Sequence, residues 1–235
     1  MKFPPFLALA ALVVIPRPEV AASPASDSTV SSPPAAAEVA APPPAAETIT
    51  DPLHDPAWKD LFAQLAPARS RLAQFEEKRY FPFRKEPTVL TGEIRMAPGH
   101  GLSLHYLTPD RHIIIVDAKG VLMRDEHGRE RAAPNDSRVQ AVSGALFNIL
   151  RFDVAALQQS FDLRGRRTGS QWVLVFAPHD TALSDLIGDI TVYGHDALVD
   201  RIVMEKSARQ RIEISLHDTR ENVIFGGDVI DRYFR

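Results

Sequence analysis

Histidines, carboxylates, serines and glycines are the residues of this chain that could carry chemistry, and their spacing argues against it. The eight histidines stand at His54, His100, His105, His112, His127, His179, His195 and His217, and no two fall at the i, i+4 spacing of a helical zinc pair. A metal needs three or four convergent ligands, whereas His100 and His105 read as a turn and a strand residue with no carboxylate close in sequence. Glu76 and Glu77 are adjacent on an expected strand, so they point to opposite faces and cannot work as a carboxylate pair. Val142-Ser143-Gly144 lies in an apolar helical pattern and is not a nucleophile elbow. Gly226-Gly227 reads as a bend between strand segments, and no glycine-rich phosphate loop is present. With no cysteine, the chain has no disulfide, no thiolate metal site, no cysteine nucleophile and no lipid-modified N-terminal cysteine. The expectation is a protein without catalytic residues, metal or cofactor, whose chemistry is the burial of apolar surface.

The surface for that burial is centred on residues 89–125. Val89–Met96, Leu102–Tyr106, Arg111–Asp117 and Gly120–Asp125 read as four strands, broken at Pro98-Gly99, Thr108-Pro109-Asp110 and Lys119-Gly120. Proline presets one turn dihedral, glycine supplies positive φ and aspartate caps a turn locally. Strands joined by so few residues can pair only antiparallel, since a parallel pair needs a long crossover.

Around this meander the chain divides into three parts. Residues 1–22 have the layout of a secretory signal peptide: Lys2, an apolar run from Phe6 to Ile15, then small residues, with cleavage after Ala22 or Ala25 both allowed. That run is shorter than the roughly 20 residues needed to span a bilayer. Residues 23–50, rich in proline, alanine and serine, cannot bury enough apolar surface to offset their conformational entropy and read as a disordered tether. Residues 51–235 form one domain. Asp55-Pro56 opens a helix with Trp58, Leu61, Phe62 and Leu65 as its apolar stripe, ended or kinked at Pro67. Leu72 to Phe81 is a strand whose charges suit a sheet edge. After a polar hinge, Asp136 or Ser137 caps a helix carrying Val139, Val142, Leu146, Ile149 and Leu150, and Asp153 caps a further turn. A hairpin turns at Thr168-Gly169-Ser170, and Thr181 to Ile187 is a short apolar helix or turn. Three closing strands, Asp189–Tyr193, Leu198–Lys206 and Gln210–His217, precede a segment, Asn222 to Phe234, expected to return along an edge.

The sum is about ten antiparallel strands with interrupting helices: a mainly β, α+β fold in which one curved sheet or open barrel carries helices on one face. Alternation nominates Phe75, Ile94, Leu104, Tyr106, Ile113, Ile115, Trp172, Leu174, Phe176, Val192, Ile202, Met204, Ile212 and Ile214 as inward, cavity-lining residues, with Ile190 beside them. Leu146, Ile149, Leu150 and Leu186 are the lid candidates. A formal charge of −3 gives no basic footprint for nucleic acid. Charges through strand middles, Arg71, Lys78, Arg95, Arg201, Glu205, Lys206, Arg211 and Glu213, argue against an outer-membrane barrel, which needs a continuous apolar outer face.

At Phe75-Glu76-Glu77-Lys78, Gly92-Glu93-Ile94, Pro98, Tyr106-Leu107-Thr108-Pro109 and Ile114 to Val121 the order of elements resembles the LolA family of periplasmic lipoprotein carriers. Trp172 to Pro178 and Asp189 to Thr219 look like the family's later strands, so the resemblance covers most of Leu53 to Arg235. It implies an open, incomplete antiparallel β-barrel of LolA/LolB type, with a helical lid over an apolar cavity. It also implies a protein of the Gram-negative periplasm that takes lipoprotein acyl chains from an inner-membrane transporter to an outer-membrane acceptor; the chain is expected to act as a monomer. Three positions depart from the family pattern. Ala97 stands where an arginine precedes the proline, Glu77 stands where glutamine is usual, and the interval from Pro98 to Tyr106 is a residue longer. His100 or Arg95 could replace the missing latch.

Three readings follow. The first is a carrier of lipoproteins or a related lipid. The second is a non-catalytic periplasmic adaptor of the same fold, with a self-filled core, working beside a lipid or polyketide-type exporter. The third, a lipid-active enzyme, requires polar groups converging in the cavity, and none is evident.

Overall fold

A computed structural model describes residues 46–66, 69–132 and 137–235, without the side chains of residues 137–140, 143 and 146. The expected signal peptide, most of the tether, the stop at Pro67, the cap at Asp136 and the side chains of Val139 and Leu146 lie outside the described residues. In chain order the first elements are β1 (Glu47–Thr48), α1 (Lys59–Leu65), β2 (Arg71–Tyr80), β3 (Thr88–Ala97), β4 (Gly101–Thr108) and β5 (His112–Asp117). Next come β6 (Gly120–Asp125), β7 (Glu130–Ala132), α2 (Ser137–Arg151), α3 (Val154–Ser160), β8 (Phe161–Thr168) and β9 (Gln171–Pro178). The chain ends with α4 (Thr181–Ile187), β10 (Asp189–His195), β11 (Leu198–Ser207), β12 (Gln210–Glu221) and α5 (Gly227–Tyr233).

The strands form one antiparallel sheet in the order β1-β8-β9-β10-β11-β12-β2-β3-β4-β5-β6-β7. It does not close: β1 and β7 each have one neighbour, which makes this an open, incomplete barrel. Both edges are two or three residues long and exposed, which limits pairing with other chains. The folded unit already includes Glu47 to Ile49, ahead of the expected boundary at Asp51: β1 pairs with β8 and Ile49 is buried.

The charged strand β2 is not an edge. It lies mid-sheet, between β12 and β3. Its charges sit there because an antiparallel sheet covered on one face leaves the other to water; Gln74 is exposed and Glu76 and Lys78 are half-buried on that side, while Ala73, Phe75 and Glu77 face in. The first helix begins later than expected. The Asp55 carboxylate accepts from Ala57 N and the Asp55 carbonyl from Trp58 N and Lys59 N, so a turn precedes α1, whose Leu61, Phe62 and Leu65 are buried with Trp58. Asp153 does cap α3, accepting from Ala156 N at 3.2 Å.

Two cores share the inner face. The larger joins α1–α4 to β8–β12, and the smaller spans β2–β6; Leu150 of α2 and Ile214 of β12 pack against both. The C-terminal segment does not return along an edge. It forms α5 and crosses the outer face, where Tyr233 packs on Ile113, Ile115 and Leu122. Arg124 donates to the carbonyls of Asp231, Arg232 and Phe234, and Arg235 makes two 2.6 Å bonds to the Asp117 carboxylate.

Trp172 sets a tight constraint in the larger core. It is buried opposite Gly194 on β10, its indole N–H donates to the Asp196 carbonyl at 2.9 Å, and a Cβ at Gly194 would collide with its ring and with the Leu198 carbonyl. Gly194→Ala should therefore destabilise the fold by about 1–3 kcal/mol through overpacking. Urea unfolding should show a lower midpoint with an unchanged slope.

Candidate functional site

An apolar cavity lies where the two cores meet under α2. Ile149 and Leu150 of α2 and Phe152 just after it form one wall; Ala73, Ile94, Met96, Val192, Val199, Ile202 and Leu216 form the sheet side, and Ala197 and Leu198 border it at the β10–β11 turn. Its volume is about 50 Å³, room for roughly three or four water-sized spheres. Among the described residues, Arg71 and Thr219 are its only polar-side-chain neighbours.

The wall depends on how α2 ends. Phe152 adopts a left-handed φ of 48°, a conformation that costs a bulky side chain roughly 1–3 kcal/mol. Its backbone N–H donates to Ile149 O, and that of Asp153 to Asn148 O. The sharp turn buries the Phe152 ring edge-on to Trp172, with centroids 6.2 Å apart. Burial of a phenylalanine is worth about as much as the strain costs.

Of the expected lining, Ile94, Val192 and Ile202 border the cavity, as do the lid residues Ile149 and Leu150. Trp172, Leu174, Phe176, Ile190, Met204 and Ile212 are packed in the larger core, and Phe75, Leu104 and Tyr106 in the smaller. Ile214 bridges the two, and Leu186 packs against the larger core away from the cavity. Leu146 of the lid lies outside the described side chains. Ile113 and Ile115 do not face inward. Leu104 pairs with Ile114 and Leu102 with Val116, so these two share the inner face, while Ile113 and Ile115 lie beneath Tyr233. The run Ile113-Ile114-Ile115-Val116 is buried on both faces, and an unbroken apolar run carries no phase.

Arg71, Ala73, Met96, Phe152, the β10–β11 turn, Leu216 and Thr219 were missed. Stepping back by twos from Phe75 reaches Ala73 and Arg71, so their signal is the same alternation; the strand expected from Leu72 stops one residue short of Arg71. Neither substitute latch holds the lid. Arg95 is buried on the outer face, bonded to Glu93 at 2.7 Å with its guanidinium 3.8 Å from the Tyr233 ring, and His100 lies beside Phe234. Both hold the C-terminal segment. His105 has a carboxylate neighbour after all, Glu93 at 3.5 Å from the adjoining strand.

Polar groups do converge on the inner face, at the far end of β2 from the cavity. Glu77 is 2% exposed; it accepts from Arg79 Nε at 2.5 Å and from the Tyr106 hydroxyl at 2.7 Å. Tyr106 meets Phe75 edge-on at 5.1 Å and stacks on His112 at 4.6 Å. Burial, reinforced by the Glu77 charge, pushes the Tyr106 hydroxyl well above its ordinary range and keeps it a donor. Burial also lowers the His112 imidazole, only partly countered by its bond to the Asp110 carbonyl. Every member is engaged within the cluster, so it reads as a structural clamp between β2, β4 and β5.

Residues 57–213 match the family described as "Outer membrane lipoprotein carrier protein LolA-like". No curated protein sequence matches the chain. Among solved structures, the MucA/MucB complex of Pseudomonas aeruginosa aligns at 17% identity and a TM-score of 0.42, over 72% of this chain and 58% of that one. The chain thus spans little more than half the length of that relative. A putative outer membrane lipoprotein-sorting protein domain from Vibrio parahaemolyticus aligns at 9% identity and a TM-score of 0.40, over 74% and 94%. The LolA superfamily protein NE2245 from Nitrosomonas europaea aligns at 8% identity and a TM-score of 0.40, over 73% and 96%. Among the described residues no helix is long and apolar enough to cross a membrane.

The clamp generates two expectations. Glu77→Leu removes the buried carboxylate paired with half-buried Arg79 and should cost about 3–5 kcal/mol; Tyr106→Phe should cost about 1–3 kcal/mol. A double variant that loses the full sum would show the two are not coupled. The depressed His112 means that the unfolded chain binds its proton first as pH falls. Its contribution is therefore intact above about pH 6.5 and declines below it. His112→Phe should flatten that part of the stability profile, read as the difference in Tm between wild type and variant on either side of pH 6.5.

Proposed function

Because the chain belongs to the outer membrane lipoprotein carrier protein LolA-like family, we propose that it is a periplasmic carrier. It binds acyl chains of a lipoprotein or related lipid beneath α2, receiving them from an inner-membrane transporter and passing them to an outer-membrane acceptor. The observation that carries this reading is the apolar cavity at the seam of the two cores, walled on one side by a single helix end. It calls for binding and release, with no bond made or broken.

The cavity as seated is too small for a whole acyl chain, so loading requires α2 to lift. The energies permit it. A chain of about twelve methylenes gains roughly 10 kcal/mol on burial at ~0.8 kcal/mol each. Exposing three apolar side chains such as Ile149, Leu150 and Phe152 costs roughly 5–9 kcal/mol at ~1.5–3 kcal/mol each. The two terms nearly balance, as a carrier that must also unload requires.

Native mass spectrometry of protein taken from the periplasm, followed by lipid extraction, tests the reading directly and should find a bound lipid or acylated peptide. Val199→Trp, at a half-buried position of the cavity wall, should reduce uptake of a fluorescent fatty-acyl probe at least about tenfold, or ~1.4 kcal/mol, with little change in Tm. A clean apo mass together with no probe uptake would instead support the adaptor of the same fold, for which the cores' dense self-filling is the favouring observation.

A further inference from the structure

Among the described residues the cavity wall holds one cation, and its hydrogen bonding is incomplete. Arg71 opens β2 on the inner face, two residues before Ala73, and lines the cavity with 13% of its side chain exposed. Its Nε donates to Glu221 Oε1 at 2.9 Å, while its Nη2 is buried without a hydrogen-bond partner among the described residues. A guanidinium N–H taken out of water and left without an acceptor costs free energy, and charged groups cost the most. Among the described residues no carboxylate belongs to the cavity lining. Glu221 lies beside it and is shared by two arginines, since Arg69 Nη1 is 3.6 Å from Glu221 Oε2. Two guanidiniums and one carboxylate leave one positive charge at this margin of an otherwise apolar cavity.

We propose that Arg71 is an anion subsite and that the cargo is an acyl chain carrying an anionic head, a carboxylate or a phosphate, held by Arg71 Nη2 while the chain lies against Ile94, Val192 and Ile202. The proposal rests on the carrier reading and narrows its cargo to a lipid with an anionic head, since the acyl chains of a lipoprotein end in neutral esters and amides. Chemistry favours this pairing. Guanidinium matches carboxylate and phosphate oxygens geometrically, and an ionised acceptor forms a stronger bond than a neutral one. Thr219, the other polar residue of the lining, is a neutral hydroxyl and supplies no competing charge. A neutral head such as an alcohol could accept from Nη2 but would leave the charge uncompensated. The strand pairing explains why the subsite sits at one end of the cavity. Arg71 pairs with Glu221 on β12 and with Met96 on β3, at the sheet end where β2 begins and β3 and β12 finish.

The test is equilibrium binding of dodecanoate, dodecyl phosphate and dodecanol, each below its micelle concentration, to the full chain, read by displacement of a fluorescent acyl probe. Wild type should bind at least one of the anionic amphiphiles about tenfold or more tightly than the alcohol, and which of the two is preferred separates a fatty-acid head from a phosphate head. Arg71→Gln should shrink that preference to about twofold or less while dodecanol affinity is kept. Because Arg71→Gln also deprives Glu221 of a partner, Glu221→Gln provides an independent check: it retains the Arg71 charge and should widen the preference. Equal affinity of wild type for all three, or an undiminished preference in folded Arg71→Gln, overturns the anion subsite and leaves the carrier standing. Failure of all three to bind overturns both.

Discussion

A single open sheet of twelve strands has two faces to keep from water, and in this protein both carry apolar side chains. The inner face is covered by four helices inserted between strands, and part of the outer face by α5. The outer cover is needed because the β5 run is buried from both sides, so a sheet with only one covered face would leave Ile113 and Ile115 exposed. Arg124 and Arg235 secure that cover by bonding the carbonyls at its end and the Asp117 carboxylate. The Arg235 hydrogen bonds in turn hold the Asp117 carboxyl below its usual range. The cavity is the remainder of the same problem. It lies where the larger and smaller cores meet under one helix end and do not fully interlock.

Two buried charges mark the two faces. Glu77 on the inner side is answered by Arg79 and Tyr106, and Arg95 on the outer side by Glu93 and the face of Tyr233. Buried ionic groups contribute little net stability, because desolvation offsets most of the attraction, but losing one partner is costly. Their effect is to tie particular elements together: β2 to β4 inside, and β3 to α5 outside. The polar clamp and the cavity occupy opposite ends of β2.

Under the proposed carrier function, the near balance between acyl burial and helix displacement fits an exchange protein better than a storage protein. A deeper cavity would bind lipid without needing α2 to move and would release it slowly. Phe152 contributes to this balance, since its left-handed backbone is held by burial against Trp172. Any displacement of α2 that frees the ring also releases that strain.

The sequence by itself determined the strand pattern of residues 89–125, the hairpin at Thr168-Gly169-Ser170, the stripe of α1, the Asp153 cap and the fold class. Each is encoded locally, by turn residues, side-chain period or a cap. The same alternation placed Ile94, Val192 and Ile202 on the inner face and reached toward Arg71. Tertiary structure alone decided what local patterns cannot express. Alternation assigns a face but not a neighbour, so it could not separate Trp172 and Phe176, which pack, from Val192 and Ile202, which border the cavity. The unbroken run at Ile113 had no phase until Leu104 paired with Ile114. The charged β2 resembled an edge until β12, separated from it by more than a hundred residues of chain, closed against it. Arg71 became part of the site only when that same pairing brought Glu221 to its Nε and left Nη2 without an acceptor.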